Sequence, residues 1–364
     1  MKRVLIIQDV LKQYRLAFFE FLYDALQADD IELTVAFSLP DSKERSKQDN
    51  SLVAPKAFYQ TVQVFRLGKL TWQRVGGLGD YDLVIVEQAN RHLLTYCLLA
   101  RRRLLGNPKV AWWGHGHNHQ SRQGGWREKF KAAMLTQADW FFAYTDKVAA
   151  AVEKAGMPAS CISSVNNSID SDEFSRQVRS YRQTGVQQTG TLLFCGALYQ
   201  NKRLDLLLDA AEQLYNRGVI RRLIVLGAGP LETLLTPRSW LDYRGACFGQ
   251  DKAKAYAEAS LVLNPGLTGL AILDAFAAGL PYITCDLPYH SPEIAYLKPE
   301  LNGLLVAPTT TALTNAVTAI LTSPDTYQQY AKGAQESGGR YGMAAMVERF
   351  AQGIRDCLQK GVVK

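Results

Sequence analysis

The run 264–281 contains the residue types of an anion-binding loop. A strand pattern ends at Pro265-Gly266, and a helical pattern begins near Gly269. Peptide N–H groups at a helix N-terminus bind anions such as phosphate, and glycine lets a ligand approach the backbone. The residues that would line this site are Gly266, Leu267, Thr268, Gly269 and Leu270. We therefore predict an anion-binding site, with the amides of Thr268, Gly269 and Leu270 free for the anion.

One acidic residue lies in the first turn of that predicted helix. A carboxylate at Asp274 accepts hydrogen bonds from ribose hydroxyls, or it complements the positive end of the helix dipole. From the residue alone, both interpretations stay open.

Adjacent cations occupy the loop after another strand pattern, at 194–203. Lys202 can bind an anionic ligand, and Gly196 leaves room for that ligand beside the backbone. Arg203 either joins Lys202 or faces solvent at the start of its helix.

Three histidines follow a strand in the first half of the chain: His115, His117 and His119. On a strand, alternate residues share one face, and this spacing would favour zinc. Gly114 and Gly116 instead indicate a loop, with no acidic or cysteine ligand close by. We therefore predict no metal site and ordinary loop roles for His117 and His119.

Polar residues after two other strands are candidates for contact with an acceptor. Tyr14 and Arg15 follow the first strand, and Glu87 ends a later one. Carboxyl ends of parallel strands are where ligands bind in open α/β sheets. The alternatives are helix packing for Tyr14 and a surface ion pair for Glu87.

Positive charge is concentrated in one part of the chain. The net charge is +7, and residues 91–131 contain nine Lys or Arg and one acid, Glu128. Within this part, Trp126, Phe130 and Met134 recur every four residues. The spacing predicts an amphipathic helix that either lies on an anionic membrane or packs with a solvated basic face. No RNA-binding signature is present, and we expect no nucleic-acid partner.

The elements that must position these residues form two successive series of alternating strands and helices. A length of 364 residues suits two domains, and alternation predicts α/β domains with parallel sheets. The predicted strands are 4–8, 31–38, 61–65, 82–87, 110–113, 140–144, 161–165, 191–195, 222–226, 241–244, 261–264, 282–285 and 304–306. The predicted organisation is a first domain at 1–172, a polar linker at 173–190, a second domain at 191–342 and a final helix at 343–364 that packs back on the first domain.

The cysteines and the lengths of the apolar stretches bear on the cellular location of the protein. Six cysteines are scattered without a CxxC pair, so we expect reduced residues of a cytoplasmic protein. The apolar stretches are too short to span a membrane. A peripheral position on the inner membrane face is compatible with the basic segment.

Five segments together resemble the family-four retaining glycosyltransferases of the GT-B fold. The run 264–281 is similar to that family's signature, in which the second of two Glu residues, matched here by Asp274, holds the nucleotide ribose. The other four segments are Phe194–Arg203, Val165–Asp170, Gly227–Pro230 and Asn302–Val306. Two positions depart from the family: Gly266 stands where it has the first Glu, and Ala197 where it has an Arg.

The resemblance implies a GT-B fold with two Rossmann-like domains facing across a cleft. It implies transfer of a sugar with retention from a nucleotide-diphosphate donor to a glycan or lipid-linked acceptor, without metal or cofactor, in cell-surface polysaccharide or lipopolysaccharide synthesis. His115 would orient a reactant and Lys202 would stabilise the leaving group. The alternatives are a sugar-nucleotide epimerase of the same fold, using Glu87 and Glu293, and an inactive homologue that binds a partner.

Overall fold

The computed structural model describes residues 1–40, 56–68, 70–89, 91–116, 133–183 and 189–360. These residues divide into two compact units. The first contains Met1–Asn167 together with the C-terminal segment from Ala344, and the second contains Ser168–Met343.

The first unit is built on an eight-stranded sheet among the described residues. The strands are β1 (Lys2–Val10), β2 (Ile31–Ser38), β3 (Tyr59–Leu67), β4 (Leu70–Arg74), β5 (Leu83–Glu87), β6 (Lys109–Gly114), β7 (Trp140–Ala143) and β8 (Ile162–Ser164). Their order is β4-β3-β2-β1-β5-β6-β7-β8, and the pairs are parallel except β3 with β4. Val4 to Ile7 of the central strand β1 are at most 3% exposed, because helices cover both faces of such a sheet.

Helices α1 (Leu16–Gln27), α2 (Leu93–Leu105) and α3 (Asp146–Lys154) belong to this unit. The C-terminal helix, Met343–Gln359, also packs on it. Phe350 of that helix stacks on Phe142 with ring centroids 4.2 Å apart and contacts Trp113 at 4.9 Å. Lys109 Nζ donates a hydrogen bond to the Cys357 carbonyl at the end of the helix at 2.6 Å. This unit therefore contains both the start and the end of the chain.

The second unit contains a six-stranded parallel sheet among the described residues. Its strands are β9 (Thr191–Cys195), β10 (Arg222–Leu226), β11 (Leu241–Tyr243), β12 (Leu261–Asn264), β13 (Tyr282–Cys285) and β14 (Gly303–Val306), in the order β11-β10-β9-β12-β13-β14. Its helices are α4 (Ser171–Gln183), α5 (Leu204–Asn216), α6 (Gly249–Glu258), α7 (Ala271–Ala277), α8 (Thr310–Leu321) and α9 (Pro324–Arg340).

Alternate residues of each strand in this sheet face two separate cores. Leu192 and Phe194 of β9 pack with the helices α5 and α8, whereas Leu193 packs on the other face with α4, α6 and α7. Strand side chains point alternately to opposite faces, and both faces are covered here. The predicted α/β class with two parallel-sheet domains is confirmed.

Three elements differ from the sequence prediction. Residues 173–183, predicted to be part of a linker, belong to the helix α4, whose Phe174 and Val178 are buried against the second unit. The polar residues around this narrow apolar stripe hid its helical spacing. The short edge strand β4 and the helix α9 were also absent from the prediction.

Two features relate to membranes and redox state. Among the described residues, we find no helix with the length and apolar character needed to cross a bilayer. All six cysteines are free.

Candidate active site

In the second unit, the loops that follow β9 and β12 contact each other. The two strands are neighbours in the sheet. The Leu267 amide donates a hydrogen bond to the Asn201 carbonyl at 2.8 Å, and Lys202 Nζ donates to the Leu267 carbonyl at 2.5 Å. Both loops leave the carboxyl ends of their strands, where open α/β sheets bind ligands. The structure thus brings together Lys202 and the 266–270 loop.

Glycine at position 266 is required by this contact. A Cβ atom built there would lie 2.2 Å from the Lys202 carbonyl carbon and 2.4 Å from the Asn201 oxygen. Real Cβ atoms do not approach backbone so closely. The glycine that departs from the family signature is therefore the residue that lets the two loops pack, and a Glu side chain does not fit in this backbone arrangement.

Lys202 is a half-buried cation at the centre of the contact. Loss of hydration lowers the pKa of its ammonium to about 8. A Cβ built at Gly196 would lie 3.4 Å from Lys202 Nζ, so that glycine leaves space directly beside the charge. An ammonium that donates to a neutral carbonyl keeps its charge uncompensated there and favours an anionic ligand.

Thr268 differs from its predicted role. Its amide was expected to face an anion, but it donates to Nδ1 of His290 at 2.9 Å. His290 Nε2 lies 2.7 Å from the Cys285 carbonyl, an acceptor, so the ring is neutral with its proton on Nε2. Burial also lowers the pKa of His290. The Thr268 amide is therefore engaged inside the protein, because a histidine 22 residues later reaches it.

The hydroxyl of Thr268 fixes the same loop. It lies 3.2 Å from Tyr282 Oη and donates to Thr284 Oγ1 at 3.1 Å. The helix α7 then begins at Ala271, later than predicted. Within the described part of the chain, the amides of Gly269 and Leu270 have no hydrogen-bond acceptor. Two of the three predicted amides thus keep the capacity to bind an anion.

Asp274 is buried and paired with a lysine that the sequence did not identify. Lys252 Nζ of α6 lies 2.6 Å from Asp274 Oδ2, and the side chains are 23% and 8% exposed. Burial raises the pKa of Asp274, and Lys252 opposes this rise. For Lys252, burial lowers the pKa, but the charge of Asp274, the nearby Cys195 and the hydrogen bond to Asp274 together raise it more, so the net direction is upward. The carboxylate is therefore held in place as half of an ion pair.

Arg203 does not join Lys202 in this structure. Its guanidinium donates to both carboxylate oxygens of Asp205, at 2.7 to 3.1 Å. Asp205 is the next residue but one, so the pair is local and lies at the start of α5. The sequence allowed Arg203 either to join Lys202 or to face solvent. In the structure, its charge is neutralised by Asp205.

In the first unit, two carboxylates lie close together at the ends of β1 and β5. Glu87 accepts a hydrogen bond from the Asp9 backbone. Burial and then the charge of Asp9 raise the pKa of Glu87 to about 7. Asp9 Oδ2 pairs with Arg91 at 2.5 Å, while the buried Oδ1 has no hydrogen-bond partner among the described residues. Glu87 is thus not in the surface ion pair that was its alternative.

A cavity large enough for about one water molecule opens beside these carboxylates. Its walls include Gln73 and His92, together with Asp9 and Glu87. His92 is 5% exposed and its Nδ1 lies 2.9 Å from Thr71 Oγ1. Burial lowers the pKa of His92, so the imidazole side of the cavity is neutral. The arrangement suits hydroxyl groups, which bind carboxylates and neutral imidazole alike.

Arg15 is buried among aromatic rings near the same sheet edge. It is 3% exposed, and its guanidinium carbon lies 4.4 Å from the centroid of Trp113. The guanidinium also donates to Tyr144 Oη at 3.4 Å. Tyr14 remains 38% exposed, which leaves it accessible to a ligand and differs from the packed alternative.

His115 lies on the face of this aromatic group. Its ring is exposed and lies 4.2 Å from the Tyr144 ring, centroid to centroid. The Gly116 amide donates to Gln88 Oε1 at 2.8 Å and fixes the loop. His115, Tyr144 and Arg15 therefore form one cluster in the first unit.

Some predicted residues lie outside the described part of the chain. These are His117, His119 and residues 126–132 of the predicted basic helix. Met134, at the end of that predicted helix, is described. Within the described ranges, no three His, Cys, Asp or Glu side chains are grouped as metal ligands.

Sequence reasoning missed Lys252, His290, Asp9, Arg91 and His92. Asp9 directly follows the predicted strand 4–8 and Glu87 ends the predicted strand 82–87, so their positions at strand ends were a usable signal. The sequence carries no such signal for Lys252 and His290, because each contacts its partner from a different element.

Comparisons with known proteins agree with this architecture. Residues 189–323 match a family model described as Glycosyl transferases group 1. The solved structure of Anabaena Alr3699/HepE in complex with UDP and glucose aligns over 98% of this chain and 100% of its own, with TM-score 0.66 and 14% identity. The chain has the GT-B fold.

Two further relatives have known or named activities. The sucrose-phosphate synthase of Thermosynechococcus elongatus aligns with TM-score 0.70 and 16% identity over 98% of both chains. A GDP-mannose-dependent α-(1-6)-phosphatidylinositol dimannoside mannosyltransferase of Mycobacterium tuberculosis is 35% identical over 101 residues. That match covers 25% of this chain and 26% of the mannosyltransferase, about a quarter of its length.

Proposed function

We propose that this protein is a retaining glycosyltransferase that moves a sugar from a nucleotide-diphosphate donor to a glycan or lipid-linked acceptor. The observation that carries the proposal is the contact between the Lys202 loop and the 266–270 loop, with Asp274 of the following helix α7 paired to Lys252 of α6. The match of residues 189–323 to group 1 glycosyl transferases covers all of these residues and supports it.

The donor diphosphate would lie against Lys202 and the amides of Gly269 and Leu270. These groups are fixed before the ligand arrives, so they stabilise the charge that develops on the leaving diphosphate without reorganising. Asp274, held ionised by Lys252, would accept hydrogen bonds from the ribose hydroxyls. Arg203 would contribute little, because Asp205 already neutralises it.

The chemical step needs no protein nucleophile. The bond from the anomeric carbon to the diphosphate oxygen breaks, and the acceptor oxygen bonds to that carbon on the same face. The acceptor proton passes to the departing diphosphate oxygen. Lys202 stabilises that leaving group, and we assign metal-independent catalysis because its ammonium supplies the charge.

The first unit would bind the acceptor. We assign one acceptor hydroxyl to the Asp9–Glu87 cavity and a hydrogen-bonding, orienting role to His115 on Tyr144. Tyr14 is accessible for contact, and Arg15 supports the cluster from within. Relatives named for phosphatidylinositol mannoside and lipopolysaccharide outer core synthesis support a cell-surface glycan or glycolipid as product. Synthesis on the cytoplasmic membrane face stays part of the proposal.

Release of nucleotide diphosphate from a panel of UDP- and GDP-sugars tests this function. We expect turnover with one donor class, reduced about 100-fold in Asp274→Ala and in Lys202→Met. Lys254→Met, an exposed lysine on α6, is the matched control and should retain turnover. Turnover that ignores both site variants would overturn the site assignment. Nucleotide binding without turnover on any donor would favour the inactive homologue.

A further inference from the structure

The β3–β4 hairpin of the first unit carries an exposed apolar face. Phe65 and Trp72 are directly opposite each other across the two strands, and so are Leu67 and Leu70. Opposite residues in a strand pair share a face. The four side chains are 55%, 36%, 79% and 41% exposed, in that order.

The other face of the hairpin is anchored in the unit. Gln73 is 4% exposed and donates to the Gln8 carbonyl at 2.8 Å and to Ser38 Oγ at 3.1 Å. Thr71 is also buried, and its amide donates to the Arg91 carbonyl at 2.8 Å. The hairpin is thus a firmly held element that presents its apolar face to solvent.

The charged residues of the hairpin are all basic. Between residues 57 and 79 the sequence contains Arg66, Lys69 and Arg74 and no Asp or Glu. Arg74 alternates with Leu70 and Trp72 and shares their face, whereas Arg66 lies on the opposite face of β3, and both arginines are exposed. The two leucines lie next to the turn, and the two aromatic residues lie one step farther back.

We propose that the β3–β4 hairpin docks this protein on an anionic phospholipid bilayer. Leu67 and Leu70 would enter the acyl region, while Phe65 and Trp72 would lie at the interface, where aromatic side chains are favoured. Arg74 on this face and the other cations of the hairpin would bind lipid phosphates, and residues 57–79 contain no carboxylate that an anionic surface would repel. This inference does not rest on the proposed activity.

The docking surface is close to the candidate acceptor cavity. Gln73 follows Trp72 in β4 and points to the opposite face, where it lines the cavity with Asp9 and Glu87. A bilayer on the outer face of the hairpin would therefore lie one strand away from that cavity. Such a position suits an acceptor whose lipid part stays in the membrane.

Vesicle flotation with the full chain tests this docking. We expect binding to vesicles of phosphatidylcholine with phosphatidylglycerol and much weaker binding to phosphatidylcholine alone. The double variant Leu67→Ser/Leu70→Ser should bind the anionic vesicles about tenfold more weakly or worse. The matched control is Leu104→Ser/Leu105→Ser on α2, whose leucines are 81% and 62% exposed, and it should bind like the wild type.

Two further measurements separate this docking from other causes. Arg66→Glu/Arg74→Glu should abolish the preference for phosphatidylglycerol. The blue shift of tryptophan emission on adding vesicles should shrink in Trp72→Phe. Wild-type-like flotation of the leucine variant, or absence of wild-type binding, would overturn the proposal. So would a dimer in solution that the leucine variant dissociates, because the apolar face would then bind a second copy.

Discussion

Lys252 Nζ lies 2.6 Å from Asp274 Oδ2, and the carboxylate side of this pair is almost fully withdrawn from water. The lysine comes from α6 and the aspartate from α7, so the pair joins two helices on the same face of the second sheet. An isolated buried carboxylate would be destabilising. The pair therefore keeps an ionised acceptor beside the loop that we assign to the donor.

Removing the lysine should destabilise the protein. Lys252→Met leaves Asp274 uncompensated, and we expect a loss of roughly 3 kcal/mol in the free energy of unfolding, seen as a lower melting temperature. Asp274→Asn in the same chain should recover part of the loss, because the two substitutions act on one interaction. Lys254→Met on the same helix is the control. Equal melting temperatures for Lys252→Met and Lys254→Met would contradict this account of the pair.

Position 266 should tolerate no side chain. In Gly266→Ala the new methyl group meets the backbone of Asn201 and Lys202, so the loops must separate. We expect lower thermal stability and at least tenfold weaker UDP or GDP binding by calorimetry. Gly339→Ala on α9 is the control, because a Cβ there would meet no atom within 4 Å. Gly266→Glu should behave no better than Gly266→Ala, even though it installs the residue of the family signature.

Much of the second unit could be predicted from its sequence. The strands β9, β10, β12 and β13 have the predicted bounds because short apolar runs, buried on both faces, are distinctive. Lys202 and the 266–270 loop were predicted to share a site because each follows such a strand and because the family resemblance implies a donor diphosphate for both. Their direct contact was not predictable, since it depends on how closely two backbones approach at Gly266.

Other parts of the structure left weaker signals. The sequence predicts a linker over most of the helix α4, because only a narrow stripe of that helix, including Phe174 and Val178, is apolar. The Thr268–His290 hydrogen bond joins a loop to a residue beyond the next strand. Side-chain partners of this kind depend on tertiary packing, and sequence spacing does not encode them.

The pH dependence of nucleotide binding should report Lys202. With its pKa at about 8, the ammonium loses its proton as pH rises above that value. The affinity for UDP or GDP should then fall by about tenfold for each pH unit above 8. In Lys202→Met the affinity should be low and nearly independent of pH across this range. A wild-type affinity that stays constant up to pH 10 would contradict the assignment.

The stability of the ligand-free protein should change in the opposite direction. The folded-state pKa of Lys202 lies below the usual value of 10.5. Between these two values the unfolded chain binds more protons, so the contribution of Lys202 to stability rises with pH. Between pH 8 and 10.5 the melting temperature of the wild type should therefore rise by several degrees relative to that of Lys202→Met, whereas their difference should be constant below pH 7.

Glu87 should affect stability in the acidic range. Its pKa is about 7 in the folded protein, against 4.5 for an ordinary glutamate. Between these values the folded protein keeps a proton that the unfolded chain has lost, so this contribution to stability falls as pH rises. Glu87→Gln should remove the dependence and raise the melting temperature at pH 7 by a few degrees. The exposed Glu153→Gln on α3 is the control, and a Glu87→Gln profile parallel to it would contradict the buried-carboxylate account.

A crystal structure of the chain with UDP or GDP bound tests the central claim most directly. The account predicts a phosphate oxygen within about 3 Å of Lys202 Nζ and ribose hydroxyls on Asp274, with Lys252 still paired to it. The diphosphate should also accept from the Gly269 or Leu270 amide. A nucleotide bound elsewhere on the protein, or one that leaves Lys202 on the Leu267 carbonyl, would contradict it.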